Sequence, residues 1–279
     1  MSKTIAFQGV LGAYSHLACR DRFPQHEPLP CEDFVEALAA VREGRADLGM
    51  IPIDNSTAGR VADIHHLLPE SGLQIIGEHF QPVLHNLLAR PGSDLAKIKT
   101  AHCHIHTVGQ VRNFLADKGI KAVVASDNAG AAAWVASEGD ETTAAIASSL
   151  AGELYDLETV AGNINDAKGN TTRFVVLSKT AAIPEQNGEK TLTSLVFRTH
   201  SVPASLFKAL CGFATYGVNI TKLESYITDA SFEVAQFYLD IEGHVESPAV
   251  AGALEELSYY SKDVKILGSY PASPFRAFS

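Results

Sequence analysis

The residues best suited to chemistry lie in one stretch, Asn163-Ile164-Asn165-Asp166-Ala167-Lys168-Gly169-Asn170-Thr171-Thr172-Arg173-Phe174. A polar loop containing Gly169 runs into an apolar strand, which sets Thr172 and Arg173 at a strand entrance. Taken alone, a threonine opening a strand and an exposed arginine beside it are ordinary, and they gain weight only together with the other loops. Four other places offer donors: Gln8-Gly9-Val10-Leu11-Gly12-Ala13-Tyr14-Ser15, Pro52-Ile53-Asp54-Asn55-Ser56-Thr57-Ala58-Gly59, Cys103-His104-Ile105-His106-Thr107 and Ser126-Asp127-Asn128-Ala129. In each, a strand ends, a short polar or glycine-containing loop follows and a helix begins. Such loops lie at the carboxyl ends of strands in an open parallel sheet, where ligands bind. The helix starts add unpaired N–H groups and partial positive charge, which suit carboxylates. Taken singly, Ser15, Asn55, Ser56, Thr107 and Asn128 read as caps and turn formers. Four such junctions in one region point to a shared cleft.

His102, His104 and His106 are spaced two apart and would share a face on an extended strand, as metal ligands do. The helix start at Thr107 ends the strand by His104, however, and no carboxylate lies at ligand spacing. No metal is expected.

Short apolar runs alternating with helical patterns must position these loops, the mark of βα units and a largely parallel sheet. Strands are expected at Lys3 to Gln8, Asp47 to Ile53, Leu73 to His79, Val83 to Ala89, Thr100 to Cys103, Lys121 to Ala125, Thr143 to Ala147 and Thr172 to Ser178. Helices are expected near Tyr14 to Arg22, Phe34 to Arg42, Thr107 to Asp117, Ala129 to Glu138 and Ser148 to Tyr155. The periodicity breaks at Ala181 to Lys190, AAIPEQNGEK, which reads as a linker. Beyond it come strand (Leu192 to Thr199), helix (Pro203 to Tyr216), strands (Ile220 to Thr228 and Val234 to Ile241), helix (Pro248 to Ser261) and strand (Val264 to Tyr270). That order is βαββαβ, the ferredoxin-like split unit. The tail PASPFRAFS reads as an irregular arm.

Length and composition set outer bounds. The 279 residues are enough for two or three modules, and 46% apolar with 19% charged residues is the balance of a soluble globular chain. The opening residues read straight into a strand with no export signal, and no run is long enough for a membrane helix, so a cytoplasmic protein without membrane contact is expected. A net charge of −10 and the lack of a basic stripe oppose nucleic-acid binding. The cysteines Cys19, Cys31, Cys103 and Cys211 show no paired spacing and read as reduced, mostly buried thiols.

The stretch ending in Asn170-Thr171-Thr172-Arg173-Phe174 resembles the Asn-x-Thr-Arg-Phe signature of prephenate dehydratases. Gly9 to Ser15 is similar to that family's glycine loop, and Pro52-Ile53-Asp54-Asn55-Ser56 to its Pro-Ile-Glu-Asn-Ser element. Cys103 to Gln110 stands in place of its Ser-His-Pro-Gln-(x)3-Gln element. Ala144-Ala145-Ile146 and Leu154-Tyr155-Asp156-Leu157 match two further pieces. Asp54 replaces the family's Glu and His106 its Gln. The resemblance implies an α/β fold with a two-lobed catalytic region like periplasmic binding proteins of type II, over residues 1–181. One lobe would hold about 1–78 with 160–181, the other about 79–159. It implies loss of CO2 and the ring hydroxyl from prephenate to give phenylpyruvate, driven by aromatisation and needing no cofactor. Thr172 would assist the departing hydroxyl, with Asn55 and Ser56 in the catalytic group. Gly12, Tyr14, Ser15, His104, Gln110, Asn170, Arg173 and Phe174 would hold substrate. Of these, Arg173 would anchor a carboxylate, while Phe174 faces the opposite side of the strand and packs.

The module from Thr191 to Tyr270 resembles an ACT domain, here spanning 191–270, with 271–279 as the arm. The resemblance implies a phenylalanine site formed by Pro203-Ala204-Ser205-Leu206 and Glu224-Ser225, feedback regulation, and a homodimer or homotetramer. The first element lacks the family's glycine and the second its Arg-Pro. The rival readings are an arogenate dehydratase and a non-catalytic binding protein.

Overall fold

The computed structural model describes residues 3–227 and 235–276. Packing divides the chain into two compact units: Met1–Ala37 with Met50–Arg60 and Phe80–Phe174, and Leu38–Gly49 with Val61–His79 and Val175–Ser279.

The elements begin β1 (Lys3–Gln8), α1 (Tyr14–Arg22), β2 (His26–Cys31), α2 (Phe34–Arg42), β3 (Leu48–Asn55), β4 (Gly59–Arg60), α3 (Ala62–Glu70) and β5 (Gln74–Pro82). They continue with β6 (Asn86–Ala89), β7 (Thr100–His104), α4 (Ile105–Gln110), α5 (Arg112–Lys118), β8 (Lys121–Ala125), α6 (Asn128–Glu138), β9 (Thr143–Ala147), α7 (Ser149–Leu154), β10 (Glu158–Ala161) and β11 (Thr171–Ser178). One sheet has the order β2-β1-β3-β11-β5, with β4 folded back on β3. Its strands Ile5-Ala6-Phe7 and Phe174 to Leu177 are uninterrupted apolar runs and almost wholly buried, as strands covered on both faces must be.

The second sheet, β10-β6-β9-β7-β8, belongs to the first unit. Strand alternation explains how its small residues serve two cores. Ala144 and Ile146 of β9 pack with Val111 and Leu115 on one face. Ala145 and Ala147 pack with Ala131, Val135 and Ala151 on the other. Because α6 and β9 meet through alanines, helix and sheet approach closely.

After residues 181–190, which form no helix or strand, come β12 (Thr191–Thr199), α8 (Ser205–Thr215), β13 (Ile220–Ile227), β14 (Ala235–Glu242), α9 (Pro248–Tyr260) and β15 (Ser261–Pro271). The sheet order β13-β14-β12-β15 is antiparallel throughout, the ferredoxin-like arrangement expected from the βαββαβ pattern. Leu195, Phe197 and Leu239 pack against Ala209, Phe213 and Leu257 of the two helices. The expected limits Thr228 and Val234, and the last three residues (277–279), lie outside the described residues.

The second unit begins well before residue 181 because α3 and β5 pack with the antiparallel sheet. Lys265 Nζ donates to Pro69 O. At Gly268 a Cβ would lie 2.0 Å from Ile75 O, so only glycine admits this approach. The arm is latched as well: Arg276 grips the fully buried Glu78 carboxylate with two bonds of 2.7 and 2.9 Å. Among the described residues, no helix is long and apolar enough to cross a membrane.

The observed elements depart from expectation in several places, with strands β4 and β10 among those not expected. The expected strand Val83 to Ala89 is strand only from Asn86, and the expected helix Thr107 to Asp117 is two short helices meeting at Val111. Strand β2 and helix α3 were not expected at all. The reason is local: β2 is a sheet edge with prolines at 28 and 30, and α3 has no side-chain cap and carries Pro69.

Candidate active site

The glycine loop is built for close approach within the first unit. Gly12 has φ +89°, and a Cβ there would lie 3.1 Å from Ala151 Cα. Ser148 Oγ donates to Gly12 O at 2.6 Å and Tyr155 Oη donates to Leu11 O at 3.0 Å, tying the loop to α7 and the turn after it. Gly12→Ala combines a left-handed backbone cost of about 1–2 kcal/mol with contacts that must give way. It is expected to lower both the thermal unfolding midpoint and turnover, measured side by side by calorimetry and steady-state kinetics.

The signature strand β11 and the end of β3 meet through an amide chain whose polarity is fixed. Backbone N–H groups of Thr57 and Ala58 donate to Asn55 Oδ1 at 2.9 and 2.7 Å, which makes Asn55 Nδ2 the donor end. That nitrogen donates to Asn170 Oδ1 at 2.8 Å and to Thr172 Oγ1 at 3.0 Å. Thr172 therefore accepts from Asn55, and its own O–H is left to donate elsewhere. Asn170 Nδ2 in turn donates to Gln110 Oε1 at 2.9 Å. The next partner was not foreseen: His85 Nε2 lies 2.7 Å from the same Gln110 oxygen, and its Nδ1 lies 3.0 Å from Tyr14 Oη. Tyr14 Oη is also 2.8 Å from Leu84 O, and burial pushes its phenol pKa upward. His85 was hidden in the apolar run Val83-Leu84-His85-Asn86-Leu87-Leu88-Ala89, where it read as a strand residue. A histidine interrupting such a run was the available signal.

Beside this chain, Gly12, Tyr14, His104, Asp127, Asn128 and Ser148 line a cavity of about 290 Å³. Asn128 Oδ1 accepts from His104 N at 2.8 Å, so the β7–α4 and β8–α6 junctions are joined. Asp127 caps α6 by accepting from Gly130 N at 2.6 Å. His104 Nδ1 accepts from His106 N, while His102 stacks on Trp134 with ring centroids 4.4 Å apart. Among the described residues, no three His, Cys, Asp or Glu side chains are grouped to hold a metal.

The structure thus joins Asn55, Asn170, Thr172, Gln110 and Tyr14 in one network, with Gly12 and His104 at the adjoining cavity. Ser15 lies in the first turn of α1. Ser56 staples the signature loop: its Oγ donates to Gly169 O and accepts from Thr171 N, each at 2.9 Å. Arg173 lies outside this network. It is buried, with Nη1 3.7 Å from Asp54 Oδ2, and alternation along β11 turns it to the face opposite Thr172. Phe174 is 1% exposed and packs in the core.

In the second unit, Ala204 is the N-cap of α8, Pro203 precedes it and Ser205 and Leu206 open the helix, while Glu224 and Ser225 lie on β13. Glu224 pairs with Lys222 at 3.2 Å. Ala204 has φ +62°, a left-handed conformation that penalises any side chain. Ala204→Gly is expected to stabilise this unit by about 0.5–1 kcal/mol, after the greater unfolded-state entropy of glycine offsets part of the relief. Chemical denaturation measures it.

Fold and site define an α/β protein that gathers hydroxyl and amide donors at the ends of its strands. A model of the prephenate dehydratase family matches residues 5–182, and the chain belongs to that family. A protein of Komagataeibacter europaeus described as a bifunctional N-acyl-homoserine lactone acylase/prephenate dehydratase is 50% identical over 274 residues, covering 98% of each chain. An Arabidopsis thaliana protein described as chloroplastic arogenate dehydratase/prephenate dehydratase 2 is 36% identical, over 96% of this chain and 72% of that one. The prephenate dehydratase of Arthrobacter aurescens, solved in complex with L-Phe, superposes with a TM-score of 0.88 at 30% identity, covering 99% of this chain and 92% of that one.

Proposed function

We propose that the chain converts prephenate to phenylpyruvate, with Thr172 as the donor to the leaving hydroxyl. The observation that carries this reading is the fixed polarity at Thr172. Asn55 occupies its oxygen as a donor, so the O–H is free to strengthen a hydrogen bond as negative charge builds on the departing oxygen. As the ring–carboxylate bond breaks, its electron pair enters the ring, the ring C–O bond breaks and the ring becomes aromatic. The dianion yields phenylpyruvate, CO2 and hydroxide, and the hydroxide takes a proton to become water. An alcohol is too weak an acid to supply that proton outright, so the hydroxyl acts by a directed bond or as one member of a relay. Asn55, Asn170 and Gln110 orient it, and Gly12, Tyr14 and His104 border the substrate.

The catalytic region is assigned to 1–181, with the arm from 271 onward. The βαββαβ module over 191–270 is read as an ACT domain that binds phenylalanine and pairs with a second copy. Its strand order and the relative solved with L-Phe support this. Rate against added phenylalanine tests it, and an unchanged rate overturns it.

Two alternatives have their own support. Relatives named for arogenate favour that substrate, which differs by an amino group in place of the keto oxygen. The 50% identity to a protein also named an N-acyl-homoserine lactone acylase favours a second activity, hydrolysis of an acyl amide to a free acid and an amine. Purified protein assayed separately on prephenate, arogenate and an N-acyl-homoserine lactone decides among them. Phenylpyruvate from prephenate supports the main reading, and turnover of arogenate alone replaces it.

A further inference from the structure

We propose that His85 is a positioning residue for this reaction, holding Gln110 so that the amide chain through Asn170 and Asn55 keeps the Thr172 hydroxyl directed at the substrate. The inference rests on the dehydratase reading.

Every donor and acceptor in the chain follows from its two backbone amides. Asn55 Oδ1 accepts from Thr57 N and Ala58 N, so its Nδ2 donates. Asn170 then accepts through Oδ1 and donates through Nδ2, and Gln110 Oε1 accepts. His85 Nε2, at 2.7 Å from that oxygen, must carry a proton. In neutral imidazole Nδ1 is then a bare lone pair facing Tyr14 Oη at 3.0 Å, and the single phenol proton is shared between that nitrogen and Leu84 O at 2.8 Å. The opposite tautomer would set a lone pair of Nε2 against the Gln110 carbonyl and favour rotation of that amide. Rotation would turn N–H groups against N–H groups at Asn170 and release Asn55 from its fixed direction.

The histidine is built in as firmly as the chain it ends. It is 1% exposed, and its backbone N–H donates to Asn165 Oδ1 at 2.8 Å. Asn165 Nδ2 donates back to Val83 O at 3.0 Å, so the segment before the signature also secures residues 83–85. Burial lowers the ring's pKa, consistent with a neutral ring.

Three substitutions separate hydrogen bonding from packing. His85→Phe keeps the ring volume without the donor, and kcat is expected to fall about 10²-fold with KM within about threefold, the scale of a misplaced reacting group. His85→Gln places an amide nitrogen where Nε2 stood and is expected to recover most of the loss. His85→Asn reaches only the Nδ1 position and is expected to stay slow. A near-normal kcat in His85→Phe, or equal loss in the Gln and Asn variants, overturns the proposal. If His85→Phe does not fold, the Gln and Asn pair alone decides. Nitrogen NMR of the wild-type ring gives a readout independent of turnover: Nε2 protonated and Nδ1 bare is expected, and the reverse overturns the inference whatever the substrate. Absence of wild-type turnover on prephenate and arogenate, by contrast, defeats the functional reading itself.

Discussion

Thr172→Val is expected to lower kcat on prephenate by about 10²- to 10³-fold while leaving KM within a few fold, and Thr172→Ser to keep most of the rate. Valine preserves the branched shape at a half-buried strand entrance and removes only the hydroxyl. One donor aimed at developing oxyanion charge is worth about 3–4 kcal/mol in a site shielded from water, which corresponds to that loss. The bond strengthens only as the C–O bond breaks, so the effect belongs in kcat. Serine restores the donor with one methyl fewer. Steady-state rates for the three proteins, with unfolding midpoints as a control for folding, give the comparison.

Asn55→Asp is expected to be almost as damaging, although it exchanges one nitrogen for one oxygen. The wild-type amide nitrogen donates to Asn170 Oδ1 and to Thr172 Oγ1. A carboxylate can only accept, so the Thr172 proton would turn toward it and away from the substrate. Two oxygens would also face each other where Asn55 now meets Asn170. The expected loss in kcat is about 10²-fold. A rise in KM should accompany it, because the new charge repels a substrate with two carboxylates, and that rise should shrink with added salt. Kinetics at two ionic strengths separate the two effects.

Much of this site is legible in the sequence, and the parts that were not have physical reasons. The glycine loop, the Asn55 turn and the signature strand stand out because each is a polar break at the end of an apolar run, a local property, whereas Gln110 is reached only through the family resemblance. His85 does not stand out, since its meaning lies in a contact with Gln110, which is remote in sequence. Arg173 is a similar case. Period-two alternation puts residues 172 and 173 on opposite faces, but nothing in the sequence pattern pairs Arg173 with Asp54, whose carboxylate lies 3.7 Å from its Nη1. The central strands were read well because their burial leaves continuous apolar runs. The edge strands β2 and β10 were missed because half-exposed edges need no apolar face. The left-handed turn at Ala204 was hidden for another reason: alanine gives no sign of a backbone that ordinarily calls for glycine.

The most direct test of the central claim, that Asn55 acts by directing the Thr172 hydroxyl, is a double-mutant cycle in kcat on prephenate at high salt. If the claim holds, Thr172→Val with Asn55→Asp together is about as slow as the slower single variant, because once the hydroxyl is gone there is nothing left to misdirect. Losses that multiply would contradict it, showing two independent contributions where one shared hydrogen bond is claimed.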